Sequence, residues 1–387
     1  MRAPVRRRAL LLGGVAMAGG GAGAWWLLAG RDGPPAKPWH AQPIKAYEAG
    51  PPRPLWRLDG IAADTGPPPV PIGRRVAFAA RAGGIATRTV VAASAGWAFP
   101  AADAGRGMLP AAGLLVAADE NGTVHALDPR SGRTRWASPA ARAQRLLAAD
   151  QFTLYVITPD HDLRAVSLRG GAVLWTRPCP VEPLGSSDRP GAEQTPRATA
   201  GAGRLVVHDR TGHAATLDAE NGVVLWQRKD LGPGPLTPVI VKLTVYLAGT
   251  SLLALSLPDG KEHWRSPGSP SWGEPAYYDG RIYAHDGSRL LTLDPASGRR
   301  AGSPVLDTDD TGDTADAIAP SAPVVQHRTV CVLLGPDGSQ GLALCDLRRH
   351  TPAFLRTPDG RTPWLVAGSG NRLFAQHRGT VLALPVV

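Results

Sequence analysis

Cysteine is scarce in this chain, with three residues among 387, and methionine is equally rare. So few thiols exclude a scaffold built on several disulfides. The ten histidines supply no His-x-x-x-His pair and no tight cluster with cysteine, which leaves zinc without a visible ligand set. No Ser-His-Asp order marks a seryl hydrolase. Charged side chains make up only 19%, and lysine is almost missing, at 5 against 37 arginines. Low charge combined with 43% apolar residues rules out a disordered chain, and 46 glycines with 38 prolines rule out a coiled coil. There is one long apolar run, so a polytopic membrane protein is excluded as well. Arg2, Arg6, Arg7, Arg8 and Arg31 flank that run, and residues 32–387 carry 37 basic against 32 acidic groups. That excess is too small for a nucleic-acid surface, and no nucleic-acid partner is expected.

The apolar run, Ala9–Gly30, has 22 uncharged residues. At about 1.5 Å rise per residue a helix over it reaches about 33 Å, enough for a bilayer core of about 30 Å. Arginines on its N-terminal side predict an N-terminus in the cytoplasm and everything after residue 31 outside. Residues 1–30 read either as an uncleaved single-pass anchor or as a cleaved secretory signal. Arg7-Arg8-Ala9-Leu10-Leu11 resembles a twin-arginine export motif, and Ala22-Gly23-Ala24 offers a small-residue cleavage site. The anchor is the expectation, because Trp25, Trp26, Leu27 and Leu28 extend the run past an ordinary signal core. No cysteine precedes Cys179, so lipidation has no thiol to use. Residues 31–53 are rich in proline (Pro34, Pro35, Pro38, Pro43, Pro51, Pro52), which denies backbone donors to a helix or strand and predicts a semi-extended linker.

From residue 54 to 387 the sequence repeats itself. The clearest copies are Ala126-Leu127-Asp128-Pro129-Arg130-Ser131-Gly132-Arg133-Thr134-Arg135-Trp136 and Thr216-Leu217-Asp218-Ala219-Glu220-Asn221-Gly222-Val223-Val224-Leu225-Trp226. Weaker copies carry Gly171 and Trp175, Gly260 and Trp264, and Asp294 and Gly298 with Gly302 in the tryptophan slot. The slots fall at Trp56, Trp97, Trp136, Trp175, Trp226, Trp264, Gly302 and Phe354, in steps of 38 to 52 residues. A period of that size means stacked supersecondary units. Each unit reads as apolar run, turn, second run, Ser/Asn-Gly turn and a short strand carrying Trp. The glycines sit where a tight turn needs positive φ, the aspartates can accept turn N–H groups, and the tryptophans can cover the seam between neighbouring sheets. These residues need no catalytic explanation.

The last copy, Gly379 to Pro385, lacks its outer strand, whereas Pro54-Leu55-Trp56-Arg57-Leu58 is an outer strand with no hairpin before it. Joining the two removes both free edges. The expectation is therefore an all-β, eight-bladed β-propeller of four-stranded antiparallel blades, its last blade closed by the Trp56 strand. Seven blades is the alternative, because the segment Arg75 to Trp97 is degenerate and lacks glycine four residues before Trp97.

The pattern Ala-x-Asp-x-x-Ser/Asn-Gly-x-x-x-Trp resembles the repeat of the pyrroloquinoline-quinone-like (PQQ-like) β-propeller family, within the wider quinoprotein-like and WD40-like propellers, over residues 54–387. Such a resemblance implies a propeller but leaves function open among quinoprotein alcohol dehydrogenases, a β-propeller lipoprotein of the outer-membrane barrel assembly machinery, and extracytoplasmic sensor domains of actinobacterial Ser/Thr kinases. The arginine-led apolar segment looks most like the third group without its kinase, since no Gly-rich phosphate loop, His-Arg-Asp or Asp-Phe-Gly occurs. Quinoprotein enzymes resemble one another in an adjacent cysteine pair, and Cys179, Cys331 and Cys345 are never adjacent.

Three further features complete the reading. Asp307, Asp309, Asp310 and Asp313 form an acidic loop that could gather calcium ligands, although Ile318 stands where an EF-hand needs an acid; the alternative is a solvated loop. Cys331 and Cys345 are symmetric about Gly338 in a hairpin, which would set them opposite at about 4.5–5.5 Å and allow a disulfide; the alternative is two small buried apolar residues. Long steps after Trp175 and after the Gly302 slot place insertions at 179–196 and 303–320 on one face of the ring, a candidate binding surface. The expected function is a non-catalytic extracytoplasmic binding, sensor or scaffold module, with no cofactor and an envelope protein, peptide or glycan as partner. A PQQ-dependent oxidoreductase is the alternative.

Overall fold

The computed structural model describes residues 47, 52–64, 66–181, 196–209, 211–232, 237–267, 272–308, 317–357 and 360–387. The expected anchor at 1–30, nearly all of the linker, and Asp309, Asp310 and Asp313 lie outside them. Among the described residues no helix is long and apolar enough to cross a membrane.

Short apolar runs separated by two-residue turns leave each segment no choice but to fold back on its predecessor. In blade 2, Met108–Ala111 and Leu114–Ala118 are joined by Ala112 and Gly113, both at positive φ, the geometry that suits a tight hairpin. Val124–Leu127 and Thr134–Ser138 follow as third and outer strands. Leu115 to Ala118 are all fully buried because this second strand is covered on both sheet faces, whereas the outer strand is mostly exposed. The same four-strand order recurs in eight antiparallel sheets, numbered here as blades 1 to 8 from the one that begins at Val70.

Innermost strands of consecutive blades are neighbours throughout, and that of blade 8, Leu365–Ser369, lies beside that of blade 1, Val70–Ile72. The ring is thus closed, with eight blades rather than seven. Blade 1 is complete despite its weak sequence signal: Ala93 occupies the glycine slot at φ 56°. Blade 8 consists of Leu365–Ser369, Arg372–His377 and Thr380–Pro385, with Trp56–Leu58 as its outer strand. The register is Trp56 opposite Ala383, Arg57 opposite Leu382 and Leu58 opposite Val381. Ala383 corresponds to Ala126, Ala165, Thr216 and Ala254, which face Trp136, Trp175, Trp226 and Trp264 in their own blades. The N-terminal strand therefore fills the same slot as every other outer strand.

Blade 6 departs from the pattern. With Gly302 in place of tryptophan its outer strand shrinks to Leu306–Asp307, and only the bridge between Leu293 and Arg300 marks the usual start. Val305 and Leu306 pack beside Val325, Val330 and Val332 of blade 7 and so fill the seam from a shifted position.

The tryptophans join blades. Trp56 Nε1 donates to Val90 O at 2.9 Å, Trp97 to Pro129 O, Trp136 to Leu168 O, Trp175 to Ala219 O, Trp226 to Leu257 O and Trp264 to Pro295 O. Each acceptor belongs to the third-to-outer turn of the next blade. That turn also brings its glycine against the indole: a Cβ on Gly132 would lie 2.6 Å from the Trp97 ring, and Gly132 adopts φ +72°. Gly171, Gly222, Gly260 and Gly298 meet Trp136, Trp175, Trp226 and Trp264 in the same way. A side chain at Gly132 would suffer both a clash and a left-handed backbone.

Trp56→Ala removes the indole that fastens blade 8 to blade 1, and stability should fall by about 3 kcal/mol as read by urea denaturation. Trp136→Phe retains the ring but leaves Leu168 O without its donor, and should cost about 1–2 kcal/mol.

Candidate functional site

The repeated carboxylates are consumed by their own turns. Asp128 Oδ1 accepts from the amides of Arg130 and Ser131, Asp294 Oδ1 from those of Ala296 and Ser297, and Asp218 Oδ1 from that of Glu220. Arg135 reaches Asp128 Oδ2 at 2.7 Å and, with the turn donors, holds that carboxyl down at about 2. Asp218 pairs with Arg204 and Asp346 with Arg328. Groups so engaged are poor bases and poor metal ligands.

Of the four aspartates of the acidic loop, Asp307 lies on the blade 6 outer strand opposite Arg289 and is exposed; the other three are outside the described residues. Among the described residues no three His, Cys, Asp or Glu side chains come together as a metal site. The insertion face is likewise described only in part, since 182–195 and 309–316 fall outside.

The cysteine pairing is corrected. Thr329–Leu334 pairs with Gly341–Asp346 so that Cys331 faces Leu344 while Cys345 faces Val330. The loop between Leu334 and Gly341 holds an even number of residues, which shifts the register by one and sends the two side chains to opposite faces of the sheet. Cys331 packs with Leu342, Leu344 and Trp364 towards blade 8, and Cys345 with Val330 and Val332 towards blade 6. All three cysteines are free. Burial pushes the thiol of Cys345 up to about 12 and raises that of Cys331 as well.

Two polar clusters escaped the sequence reading. In blade 4, Asp209 is buried, and its Oδ1 accepts from the amides of Thr211 and His213 and from the Thr211 hydroxyl, while Oδ2 has no partner among the described residues. In blade 6, His285 ends the second strand with its ring pressed against Gly273, where any Cβ would overlap the imidazole. Burial drives this imidazole down to about 4, against the opposing pull of Asp286. The signal was there, because His208-Asp209 and His285-Asp286 end the second strands of blades 4 and 6 in the same frame, where Asp119 caps the corresponding turn of blade 2.

A cofactor of the PQQ type would need oxygen ligands for a divalent cation, an aspartate base and a flat aromatic floor near the ring axis. Six of the described tryptophans lie on outer strands, and Trp272 and Trp364 lie in loops between blades; none is on an innermost strand. With no acidic cluster on the described inner strands either, this set does not fit the group.

What the structure does present is an apolar strip. Of nine exposed large hydrophobic residues among the described residues, seven belong to blades 3, 4 and 5: Val173, Leu174, Val223, Val224, Leu225, Phe152 and Leu243. Leu174 is 53% and Leu225 40% exposed, each the extra residue of a β-bulge immediately before the tryptophan of its outer strand. Leu168 N donates to Phe152 O and Leu257 N to Leu243 O, which puts these residues at the same end of the ring as the glycine turns. The signal was available in Val223-Val224-Leu225, an apolar run where blade 2 has Arg133-Thr134-Arg135.

The denatured chain should yield three thiols with a thiol reagent, and the native chain should protect Cys331 and Cys345. Because the folded His285 protonates near pH 4 and the unfolded one near 6.5, its contribution is fully present above about 6.5 and is lost as pH falls towards 4. Urea midpoints should therefore drop over that window by the equivalent of about 3 kcal/mol, and less in His285→Asn.

Comparison with known proteins adds the family. Residues 159–386 match the family of outer membrane protein assembly factor BamB. BamB from Moraxella catarrhalis is similar in fold at a TM-score of 0.59 and 17% identity, over 86% of this chain and 99% of that one. The computationally designed Ika8 protein gives 0.61 and 11% over 84% and 98%, and a chain of the mitotic checkpoint complex 0.51 and 13% over 90% and 98%. No curated protein matches the sequence. Identities this low carry the fold alone, whereas the family match spans more than half of the repeat-bearing chain: this protein is an eight-bladed PQQ-like β-propeller of the BamB family.

Proposed function

We propose that the protein is a non-catalytic scaffold that holds a protein partner outside the cytoplasm, tethered through Ala9–Gly30. The observation that carries the reading is the apolar strip on the outer strands of blades 3 and 4, Val173-Leu174 and Val223-Val224-Leu225. Outer strands have one unpaired edge, so an extended partner segment can add main-chain hydrogen bonds there while its side chains cover the exposed leucines. Contiguous apolar surface of this kind on a soluble domain marks interaction sites. The family match, whose description names an assembly factor, supports a partner in the cell envelope. Export is supported by the arginine-led apolar segment in the sequence, and absence of catalysis by the engagement of every repeat carboxylate in its own turn.

Leu174→Glu with Leu225→Glu should abolish recovery of a crosslinked envelope partner from membranes, while urea denaturation stays within about 0.5 kcal/mol of wild type, as expected for surface sites. Equal recovery from wild type and variant would remove the strip from the function. Saturable dye-coupled alcohol oxidation on adding PQQ and Ca²⁺ would replace the scaffold with an oxidoreductase.

A further inference from the structure

Within each blade the turn joining the first two strands lies beside the turn joining the last two. In blade 7 Leu347 N donates to Arg328 O, in blade 1 Val90 N to Arg74 O, and in blade 4 Ala219 N to Gly203 O. The eight turns joining first and second strands and the seven joining third and outer strands, blade 8 having none of the latter, therefore belong to one end of the ring. Charge is unevenly spread over this end. The blade 6 turn carries Arg299 and Arg300, the blade 7 turn Arg348 and Arg349, and the blade 1 turn Arg74, all exposed and with no ion-pair partner among the described residues. Two acids of these turns are occupied, the buried Asp346 by Arg328 and the amide of Arg348, and Asp294 by the amides of Ala296 and Ser297, while Asp279 in the first turn of blade 6 is an exposed acid at the same end. The blade 2 turn adds the exposed Arg130 and Arg133, whereas the blade 4 turn carries Asp218 and Glu220 and the blade 5 turns balance Asp259 with Lys242 and Lys261.

The chain enters the ring in the basic sector. Tyr47 seats its hydroxyl on Thr329 Oγ1 at 2.9 Å and Pro385 O at 3.2 Å, between blades 7 and 8 and at the same end as the turns. Residues 31–46 separate Tyr47 from the apolar run, and a proline-rich segment of that length spans at most about 50 Å. A tether of this reach, attached at this end, keeps the arginine-bearing turns turned to the bilayer.

We propose that the exposed arginines of blades 6, 7 and 1, centred on Arg299, Arg300, Arg348 and Arg349, form a membrane-docking face that binds anionic phospholipid headgroups. The proposal rests on the tether reading of residues 1–30. Guanidinium groups bind phosphate by paired hydrogen bonds, and several such weak contacts add once a tether holds them near the surface. Docking fixes the disc face-on to the bilayer, with the turns joining second and third strands directed away from it.

The test uses the full chain in nanodiscs of phosphatidylcholine alone or with about one-third phosphatidylglycerol, read by amide hydrogen exchange of residues 298–302 and 347–351. Exchange there should slow about fivefold in the anionic discs at low salt, with the blade 4 turn at 220–223 unchanged. The protection should vanish in high salt and in the quadruple variant Arg299→Ser, Arg300→Ser, Arg348→Ser, Arg349→Ser. Equal exchange in both kinds of disc overturns the proposal. Recovery of the chain free of both discs means that the tether reading has failed; the same chain is then sedimented with anionic and neutral vesicles. Retention on anionic vesicles alone, lost in the quadruple variant, upholds the face without the tether, and no retention overturns it. Protection by a poly-glutamate peptide but not by anionic lipid would reassign the arginines to an acidic protein partner and overturn the lipid assignment.

Discussion

The ring depends on one contact repeated around it: an indole that donates its N–H to the next blade's turn and lies flat on that turn's glycine. The contact asks three things of the sequence at once. A tryptophan must stand in the outer strand, a glycine must follow the motif aspartate by four residues, and the carbonyl after the aspartate must point backwards. Satisfying all three couples the inside of one blade to the position of its neighbour. A propeller has no core of its own beyond such interfaces, so the spacing of these residues is the fold.

Two seams are held differently. Between blades 6 and 7 the tryptophan is Gly302, and the glycine it would have covered is His350, at φ 53°. The two substitutions belong together: with no indole to seat, a side chain at position 350 meets no clash. Val305 and Leu306 close the gap from inside, aided by Glu274, whose carboxylate accepts from Thr237 and from Ala322 and so ties blades 5 and 7 across blade 6. Between blades 7 and 8, Phe354 replaces tryptophan, and the seam is packed by Cys331, Trp364, Leu384 and Val387, with Tyr47 laid over them. These are the seams at which Tyr47 and the exposed Arg299, Arg300, Arg348 and Arg349 are found.

Much of this was legible. Trp, Gly and Asp recur with a spacing that no unrelated constraint would produce, and the orphan Trp56 strand could be matched to the incomplete last copy because an open propeller edge is costly. The cysteine register was not legible, because one residue in a loop decides which sheet face a strand presents, and composition does not count loop residues. The loop residues that button each blade's second turn were missed as well. Ala143 N on Gly122 O, Leu231 N on Gly212 O and Trp272 N on Gly249 O repeat around the ring, but the residue type varies and the loops differ in length. The apolar strip was visible as letters and not as a surface, since Leu174 and Leu225 are the extra residues of β-bulges on their outer strands, and a bulge is set by the pairing register rather than by residue type.

The pairing of Trp56 with Ala383 has a consequence for biogenesis. The strand that leaves the ribosome first is the one whose partner is made last. Until the C-terminal residues arrive, two sheet edges stay open, and any truncated product keeps them open for good. Ring closure is thereby a checkpoint on synthesis: a product that stops before residue 380 leaves the Trp56 strand without its partner, a mark that quality-control proteases can read.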